Sequence, residues 1–111
     1  MINISIVVPI FNEHESIPHL EKWIREVMEK HQFRYEIIMV DDGSDDGSWK
    51  VIESLVELNP QVKGIKFRRN YGKSAALNTG FQEAKGEVVV TMDADLQDSP
   101  EEVPELSLIH I

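Results

Sequence analysis

Three oxygen-bearing side chains, Asp93, Asp95 and Gln97, alternate along the segment that follows the apolar run EVVVTM. If this segment stays extended, side chains two residues apart point the same way, so both carboxylates and the amide share one side. Such hard oxygen donors suit Mg²⁺ or Mn²⁺, which complete their coordination shells with water and phosphate oxygens. A bound metal would offset the repulsion between the carboxylates. A solvated acidic loop explains the same residues about equally well, because Ser99 and Glu102 form a capping box for a following helix.

A second acidic segment, VDDGSDDGS, follows another apolar run. In dinucleotide-binding folds an acidic residue at the end of the second strand accepts hydrogen bonds from ribose hydroxyls, and Asp41 or Asp42 is placed to do so. An Asp-Gly turn followed by a helix cap at Asp45 or Asp46 is the alternative. Both can hold together, with Asp42 on the ligand. The same segment resembles a calcium loop, but a strand precedes it where an EF-hand needs a helix.

Basic residues cluster in one part of this acidic chain, at Lys66, Arg68, Arg69 and Lys73. A cation at the end of a strand suits a diphosphate, although solvated charge on an exposed strand explains Lys66 and Arg68 at least as well. Lys73 follows a glycine at a predicted helix start, where anions are favoured. We exclude a P-loop because Phe67 stands where its first glycine belongs.

The elements that must position these residues follow from the apolar patterning. Four short, β-branched segments read as strands: ISIVVPI, YEIIMVD, VKGIKFR and EVVVTM. Helical spacing of apolar residues between them predicts three helices, the first with Pro18 in its first turn and the third closed by Gly86. The order βαβαβαβ predicts an α/β fold with a mainly parallel, Rossmann-like sheet covered on both faces. Ligands of such sheets bind at the carboxyl ends of the strands, where the acidic and basic segments fall.

Size and charge limit the function classes. At 111 residues the chain is a single domain, and its net charge of −9 excludes a phosphate-binding basic face, so no nucleic acid partner is expected. The absence of cysteine excludes disulfides and thiolate metal sites. No run is long and apolar enough for a signal peptide or a membrane span. The histidines show no metal-ligand spacing, and we expect them to be solvated or capping residues.

Four ordered motifs, SIVVPIFNE, VDDGSDDGS, RRNYGKSAALNTG and MDADLQDSPEE, resemble the amino-terminal half of a family 2 glycosyltransferase of the GT-A fold. The motifs DADLQD and RNYGK are characteristic of its polyprenyl-phosphate branch, which includes dolichol-phosphate mannose synthase. The resemblance covers nearly the whole chain. It implies metal-dependent transfer of a sugar, with inversion, from a UDP- or GDP-linked donor to a lipid phosphate.

The resemblance also implies roles for individual residues. The metal, Mg²⁺ or Mn²⁺, would be held by Asp93, Asp95 and Gln97. The nucleotide sugar would be bound by residues that the resemblance places around the base, the ribose and the diphosphate: Pro9, Phe11, Glu13, Asp42, Arg69, Lys73 and Asp93. Any general base would lie outside the chain, because enzymes of this family continue beyond the metal motif with an acceptor-binding half.

Because the chain stops at PELSLIHI, we expect residues 1–111 to be a partial, donor-binding GT-A domain with an atypical tail at 107–111. We expect this piece to be cytoplasmic and the intact enzyme to lie at the cytoplasmic face of the membrane. A helix that begins near Ser99, or an open sheet edge, predicts self-association. Two alternatives stay open, a receiver-like signalling domain with a Mg²⁺ site and a non-catalytic nucleotide- or calcium-binding module.

Overall fold

The computed structural model describes residues 1–94, in which strands and helices alternate in the predicted order. The elements are β1 (Ile4–Ile10), α1 (Ile17–Lys30), β2 (Tyr35–Asp41), α2 (Ser48–Leu58), β3 (Val62–Lys66), α3 (Lys73–Glu83) and β4 (Val88–Thr91). The predictions for Asp95, Gln97, Ser99 and the tail at 107–111 lie outside the described residues. The α/β fold class predicted from the sequence is confirmed.

The four strands form one parallel sheet in the order β3-β2-β1-β4. Ile4 of the central strand β1 lies opposite Tyr35 of β2 on one side and Val88 of β4 on the other. The chain therefore steps outward from β1 to β3 and then crosses back to place β4 beside β1. The carboxyl ends of these parallel strands lie at one edge of the sheet, which is where ligands of open α/β sheets bind.

Helices cover both faces of this sheet. The larger core lies between the sheet and helices α1 and α2; Ile6 and Ile37 contribute from the strands, and Ile24 and Ile52 from the helices. The smaller core lies under α3 and is built around Ile38 and its neighbours on β1, β2 and α3. The predicted apolar face of α1 is buried, and Pro18 lies in its first turn, where the ring removes no helical hydrogen bond.

Helix α3 packs on the sheet in a different way from the one predicted. Ala76 and Gly80 are its buried residues, whereas Phe81 is 46% exposed. A Cβ atom at Gly80 would overlap the Cγ1 atom of Val7, so the absence of a side chain lets the helix lie close to β1. The prediction that Gly86 closes the helix is wrong, because α3 ends three residues earlier at Glu83. Gly86 instead packs against Ser5, where a Cβ would lie 2.6 Å from the Ser5 nitrogen.

The strands β3 and β4 are each shorter than their apolar runs. The sequence predicted β3 over residues 62–68 and β4 over residues 87–92, but the ladders end at Lys66 and Thr91. The last backbone bond from β3 to β2 runs from the Phe67 N–H to the Asp41 carbonyl oxygen at 2.8 Å. Beyond that point the chain turns toward α3, and the next basic residues lie in the turn.

A buried polar network joins the strands at the amino-terminal end of the sheet. Glu36 is 1% exposed and accepts hydrogen bonds from Ser5 Oγ at 2.5 Å, Lys63 Nζ at 2.6 Å and the Lys85 N–H at 2.6 Å. The Gly86 N–H donates to Ser5 Oγ at 2.7 Å. Burial opposes ionisation of Glu36, but these hydrogen bonds outweigh it and hold its pKa below the ordinary value. The network fixes the β3 edge and the α3–β4 turn, away from the predicted ligand site.

Candidate functional site

A pocket of about 230 Å³ opens at the carboxyl ends of β1, β2 and β4, beside the start of α3. Its described lining residues are Pro9, Ile10, Phe11, Glu13, Asp42, Lys73, Asp93 and Ala94. The fold therefore brings together every residue predicted to bind a nucleotide sugar except Arg69. Pro9 and Asp93 are 84 positions apart in the sequence and line the same pocket, because parallel strands end at one edge of the sheet.

The loop after β1 carries Phe11 and Glu13 and is fastened to the loop after β2. The Asn12 N–H donates to Ser44 Oγ at 2.9 Å, and the Asp45 N–H donates to Asn12 Oδ1 at 3.0 Å. Asn12 adopts a φ of 54°, a left-handed conformation that asparagine tolerates better than most residues. These contacts hold the loop in the shape that presents Phe11, 46% exposed, at the mouth of the pocket.

A charged pair reinforces the same junction. His14 Nδ1 lies 2.8 Å from Asp46 Oδ2, and the Glu13 N–H donates to Ser48 Oγ at 3.1 Å. The hydrogen bond to Asp46, with smaller effects of nearby charge including Glu15, raises the pKa of His14 above 6.5. Burial alone would raise the pKa of Asp46, but bonds from Ser48 and His14 lower it well below its ordinary range. Ser48 donates both its N–H and its Oγ to Asp46 Oδ1. The predicted helix cap at Asp45 or Asp46 is nevertheless wrong, because Gly47 is the N-cap of α2 and Asp46 binds the first residue of the helix from the position before it.

The two aspartates at the end of β2 have different surroundings. Asp41 is fully buried; its Oδ1 accepts the Ser44 N–H at 3.0 Å, and Oδ2 has no hydrogen-bond partner among residues 1–94. Asp42 lines the pocket, with Oδ1 accepting the Tyr71 N–H at 2.7 Å and Oδ2 accepting the Gly72 N–H at 3.1 Å. Each carboxylate oxygen keeps a second lone pair for a ligand. The pocket thus selects Asp42 from the two predicted candidates.

On the opposite side of the pocket, Lys73 Nζ lies 2.7 Å from Asp93 Oδ1. The side chains are 61% and 42% exposed, so both remain open to solvent and to a ligand. Lys73 is the first residue of α3, and Asp93 follows β4. A cation and an anion therefore face each other at the entrance, where a diphosphate and a metal are predicted.

Arg69 lies in the turn before α3 and is not among the described residues that line the pocket. Its guanidinium carbon is 5.0 Å from the centre of the Tyr71 ring, a cation–π contact at the surface. The backbone of Arg69 and Asn70 packs against Gly43, whose φ of +78° and lack of a side chain permit that approach. Arg69 therefore contributes to the shape of the turn that leads into Lys73.

The predicted metal site is described only in part, because Asp95 and Gln97 lie outside residues 1–94. Within those residues, no group of three or more histidine, cysteine, aspartate or glutamate side chains is arranged to hold a metal ion. Asp93 itself fits such a site, because its carboxylate is a hard oxygen donor that faces the pocket and stays accessible. It is one candidate ligand, and the predicted partners follow it directly in the chain.

A larger hollow of about 620 Å³ lies elsewhere, at the amino-terminal end of the sheet near Arg34 and Gln61. Of its lining residues, Asn59 donates its side-chain amide to the Tyr35 hydroxyl at 3.3 Å and to Glu21, which lies outside the lining, at 2.9 Å. Parallel α/β sheets bind their ligands at the other end. We therefore assign the ligand site to the smaller pocket, where the charged side chains converge.

Two features of the site escaped the sequence analysis. The first is the attachment of Asp42 to the Tyr71 and Gly72 backbone, since no sequence pattern links residues 29 and 30 positions apart. The second is the pair formed by His14 and Asp46, because the sequence indicated only a solvated or capping histidine. Both contacts depend on the lateral placement of loops that follow neighbouring strands.

The comparison with known families agrees with the motifs and with this geometry. The model of glycosyl transferase family 2 matches residues 5–107, most of the chain. The chain belongs to glycosyltransferase family 2. This assignment favours the glycosyltransferase hypothesis over the receiver-like and calcium-binding alternatives, and it accords with a ligand site at the carboxyl ends of the strands.

Curated relatives of this family 2 chain include undecaprenyl-phosphate 4-deoxy-4-formamido-L-arabinose transferases. The protein from Pseudomonas fluorescens (strain SBW25) is 44% identical over 104 residues, which cover 93% of this chain and 30% of the relative. The protein from Proteus mirabilis (strain HI4320) is 45% identical over 105 residues, covering 93% of this chain and 32% of the relative. The chain thus spans about a third of the length of the curated relatives it matches.

Solved structures support the GT-A fold. A mannosyltransferase from Pyrobaculum calidifontis, in complex with GDP-Man and Mn²⁺, is 30% identical with a TM-score of 0.75, covering 84% of this chain and 27% of that one. TarS from S. aureus, in complex with UDP, has a TM-score of 0.70 at 24% identity, covering 96% and 31%, and supports the fold alone. Across residues 1–94, no helix is long and apolar enough to cross a membrane.

Proposed function

We propose that the chain forms the donor-binding part of an inverting, metal-dependent glycosyltransferase that transfers a sugar from a nucleotide diphosphate to a polyprenyl phosphate. The observation that carries this proposal is the convergence of Phe11, Glu13, Asp42, Lys73 and Asp93 on one pocket at the carboxyl ends of the strands. This set combines an aromatic surface, hydrogen-bond acceptors, a cation and a metal-binding carboxylate. A nucleotide diphosphate needs all four kinds of contact.

The base and ribose would lie at the β1 and β2 side of the pocket. Phe11 and Pro9 offer apolar surface to a base, while Glu13 and Asp42 offer oxygen atoms to its N–H groups or to ribose hydroxyls. The left-handed Asn12 and its bonds to the next loop hold these groups in place before the ligand arrives. Such preorganisation lowers the entropic cost of binding.

The diphosphate would lie between α3 and β4. Lys73 and the backbone N–H groups at the start of α3 supply positive charge, and a divalent cation held by Asp93, Asp95 and Gln97 would stabilise the departing diphosphate. Transfer with inversion forms a bond from an acceptor oxygen to the anomeric carbon while the bond to the diphosphate breaks. The electron pair of the broken bond leaves with the nucleoside diphosphate.

The acceptor is proposed from the relatives, whose names specify undecaprenyl phosphate. A phosphate monoester is largely a dianion at neutral pH, its second pKa being about 6. Its oxygen is therefore a nucleophile that needs little help from a general base. We accordingly propose that the intact enzyme acts at a membrane surface, where such a lipid resides.

The proposal is tested by calorimetric titration of UDP, GDP and their sugars into the chain, with and without Mn²⁺. We expect metal-dependent binding that is lost in Asp93→Asn and retained in Asp45→Asn, which removes an exposed carboxylate outside the pocket lining. Transfer is then assayed with a full-length enzyme that contains these residues, using polyprenyl phosphate as acceptor. Failure of the folded chain to bind any of these nucleotides, together with absence of transfer, would exclude the proposed function.

A further inference from the structure

We propose that Lys73 is a built-in counter-ion for Asp93, which it neutralises until a nucleotide diphosphate arrives, and that its contact then passes to the diphosphate. The proposal rests on the proposed function, because it assumes that a diphosphate enters this pocket. It goes beyond that function by assigning Lys73 a second role, in which it controls when the carboxylate of Asp93 becomes available. The expected consequence is that metal and nucleotide bind together far better than either binds alone.

The first support is the ion pair itself. Lys73 Nζ and Asp93 Oδ1 are 2.7 Å apart, and both residues line the same pocket. Both side chains are more than one-third exposed, at 61% and 42%. Ion pairs with such access to water contribute little net stability, so this pair can separate at small cost. A lysine side chain on a four-carbon stem can then reach a new partner without movement of the backbone.

The second support is the position of Lys73 in its helix. It is the first residue of α3, where the helix dipole and unpaired N–H groups already place positive charge. A cation is unfavourable there, and the first turn of α3 contains no acidic residue to compensate it. Asp93 supplies the compensation from another strand. Lys73 is therefore a lysine at a position where helix stability favours an anion, and it pairs with Asp93 across the pocket. The ligand site explains this choice of residue better than helix stability does.

The third support is the fixed backbone that precedes Lys73. Asp42 accepts the N–H groups of Tyr71 and Gly72, so the two residues before Lys73 are fixed to the end of β2. Gly72 has a φ of +101°, a conformation that glycine adopts at no steric cost. The backbone of Lys73 therefore stays in place, and the side chain is the part that changes partner.

Competition for one carboxylate gives the functional consequence. Lys73 and a divalent cation both need the negative charge of Asp93, and they repel each other when both are close to it. Without a diphosphate, Lys73 thus weakens metal binding. The negative charge of a diphosphate attracts Lys73 and relieves that competition. The coupling must be reciprocal, so each ligand tightens the binding of the other by the same factor.

The test uses Mn²⁺ alone, Mn²⁺ with UDP and Mn²⁺ with GDP, with free Mn²⁺ measured by electron paramagnetic resonance. Lys73→Met removes the counter-ion, and Lys22→Met removes the same charge from an exposed site on α1. We expect Lys73→Met to bind Mn²⁺ alone at least about 3-fold more tightly than wild type, because attraction to Asp93 is no longer shared. Circular dichroism melting shows whether each variant is folded.

We also expect the factor by which the nucleotide tightens Mn²⁺ binding to fall about 10-fold or more in Lys73→Met, within the usual range of coupling between sites. Lys22→Met should leave both quantities as in wild type. Unchanged or weaker binding of Mn²⁺ alone by folded Lys73→Met, or an unchanged coupling factor, overturns the proposal. If wild type binds Mn²⁺ but neither nucleotide, the proposed function fails, and the exchange of Lys73 to a diphosphate fails with it. Tighter Mn²⁺ binding by Lys73→Met would in that case still indicate that Lys73 pairs with Asp93 and competes with the metal for it.

Discussion

The Asp42 carboxylate accepts the backbone N–H of Tyr71 at 2.7 Å, which ties the end of β2 to the turn that begins α3. Its second oxygen accepts the N–H of Gly72, so a single side chain satisfies two donors. Asp42 is 4% exposed, and its loss would leave both N–H groups without a protein partner. The same residue lines the ligand pocket, so one carboxylate serves both the turn and the site.

Replacing Asp42 by alanine should therefore lower stability and ligand binding together. Each partly buried N–H left unpaired costs about 1–3 kcal/mol, so the loss of both partners should lower the free energy of unfolding by roughly 2–6 kcal/mol. Urea denaturation measures the loss, and amide hydrogen exchange should accelerate at Tyr71 and Gly72. Asp45→Ala is the matched control, since Asp45 is exposed and donates to Asn12 through its backbone N–H. Unchanged exchange at Tyr71 and Gly72 in Asp42→Ala would contradict this role.

The pair of His14 and Asp46 should be visible in a pH titration. Because its folded pKa is raised above the ordinary 6.5, His14 stabilises the fold fully below pH 6.5, and this contribution is lost as the pH rises through the folded value. The NMR shift of the imidazole should titrate above 6.5 in wild type. In Asp46→Asn the midpoint should fall toward 6.5, whereas Asp45→Asn should leave it unchanged. Equal midpoints in wild type and Asp46→Asn would mean that the pair does not form in solution.

Gly80→Ala should destabilise the protein even though alanine favours helices. Helix propensity alone predicts a gain of about 1 kcal/mol, but the new methyl group would overlap Val7 of β1. Overpacking of this kind typically costs about 1–3 kcal/mol, so we expect a net loss on urea denaturation. Asn78→Ala, on the exposed part of α3, provides the propensity control and should be neutral or stabilising.

A double-mutant cycle separates crowding from other effects of the Gly80 substitution. In a Val7→Ala background the space beside Gly80 is larger, so Gly80→Ala should cost less there than in wild type. Equal costs in the two backgrounds would show that the contact between Gly80 and Val7 does not limit the approach of α3.

Glu36 should make stability depend on pH in the acidic range. Its folded pKa lies below the ordinary value of 4.5, so its contribution is present above 4.5 and is lost as the pH falls through the folded pKa. Glu36→Gln removes the charge that Lys63 and the Ser5 hydroxyl bind, at a cost of about 1–3 kcal/mol near neutrality. Urea denaturation between pH 3 and pH 7 should show a flatter profile for Glu36→Gln. Parallel profiles for the two proteins would refute this assignment.

The strands of this fold could be predicted well because their burial is nearly complete. The apolar run from Ile4 to Ile10 and the run from Tyr35 to Asp41 became strands with the predicted bounds, since both lie inside the sheet. The bounds of the edge strand at Val62–Lys66 were less accurate. The strand β3 pairs with β2 alone among the described strands, so it ends where β2 turns away. The apolar pattern of the β3 sequence does not indicate that point.

Much of the candidate site followed from the rule that parallel strands end together. That rule placed Asp42 and Asp93 near one pocket without any knowledge of side-chain positions. It could not show that Asp42 holds a turn, that Lys73 contacts Asp93, or that Arg69 lies against Tyr71. These contacts depend on the path of the turn between β3 and α3. The sequence of that turn does not specify the direction in which it leads the chain.

We propose above all that a nucleotide diphosphate sugar binds at the carboxyl ends of the strands. The most direct measurement is NMR mapping of backbone amide shifts while UDP- and GDP-linked sugars are added with Mg²⁺. We expect saturable shifts at Phe11, Glu13, Asp42 and Lys73 that are abolished in Asp93→Asn. Shifts confined to the hollow around Arg34 and Gln61, or an absence of shifts in the folded protein, would contradict it.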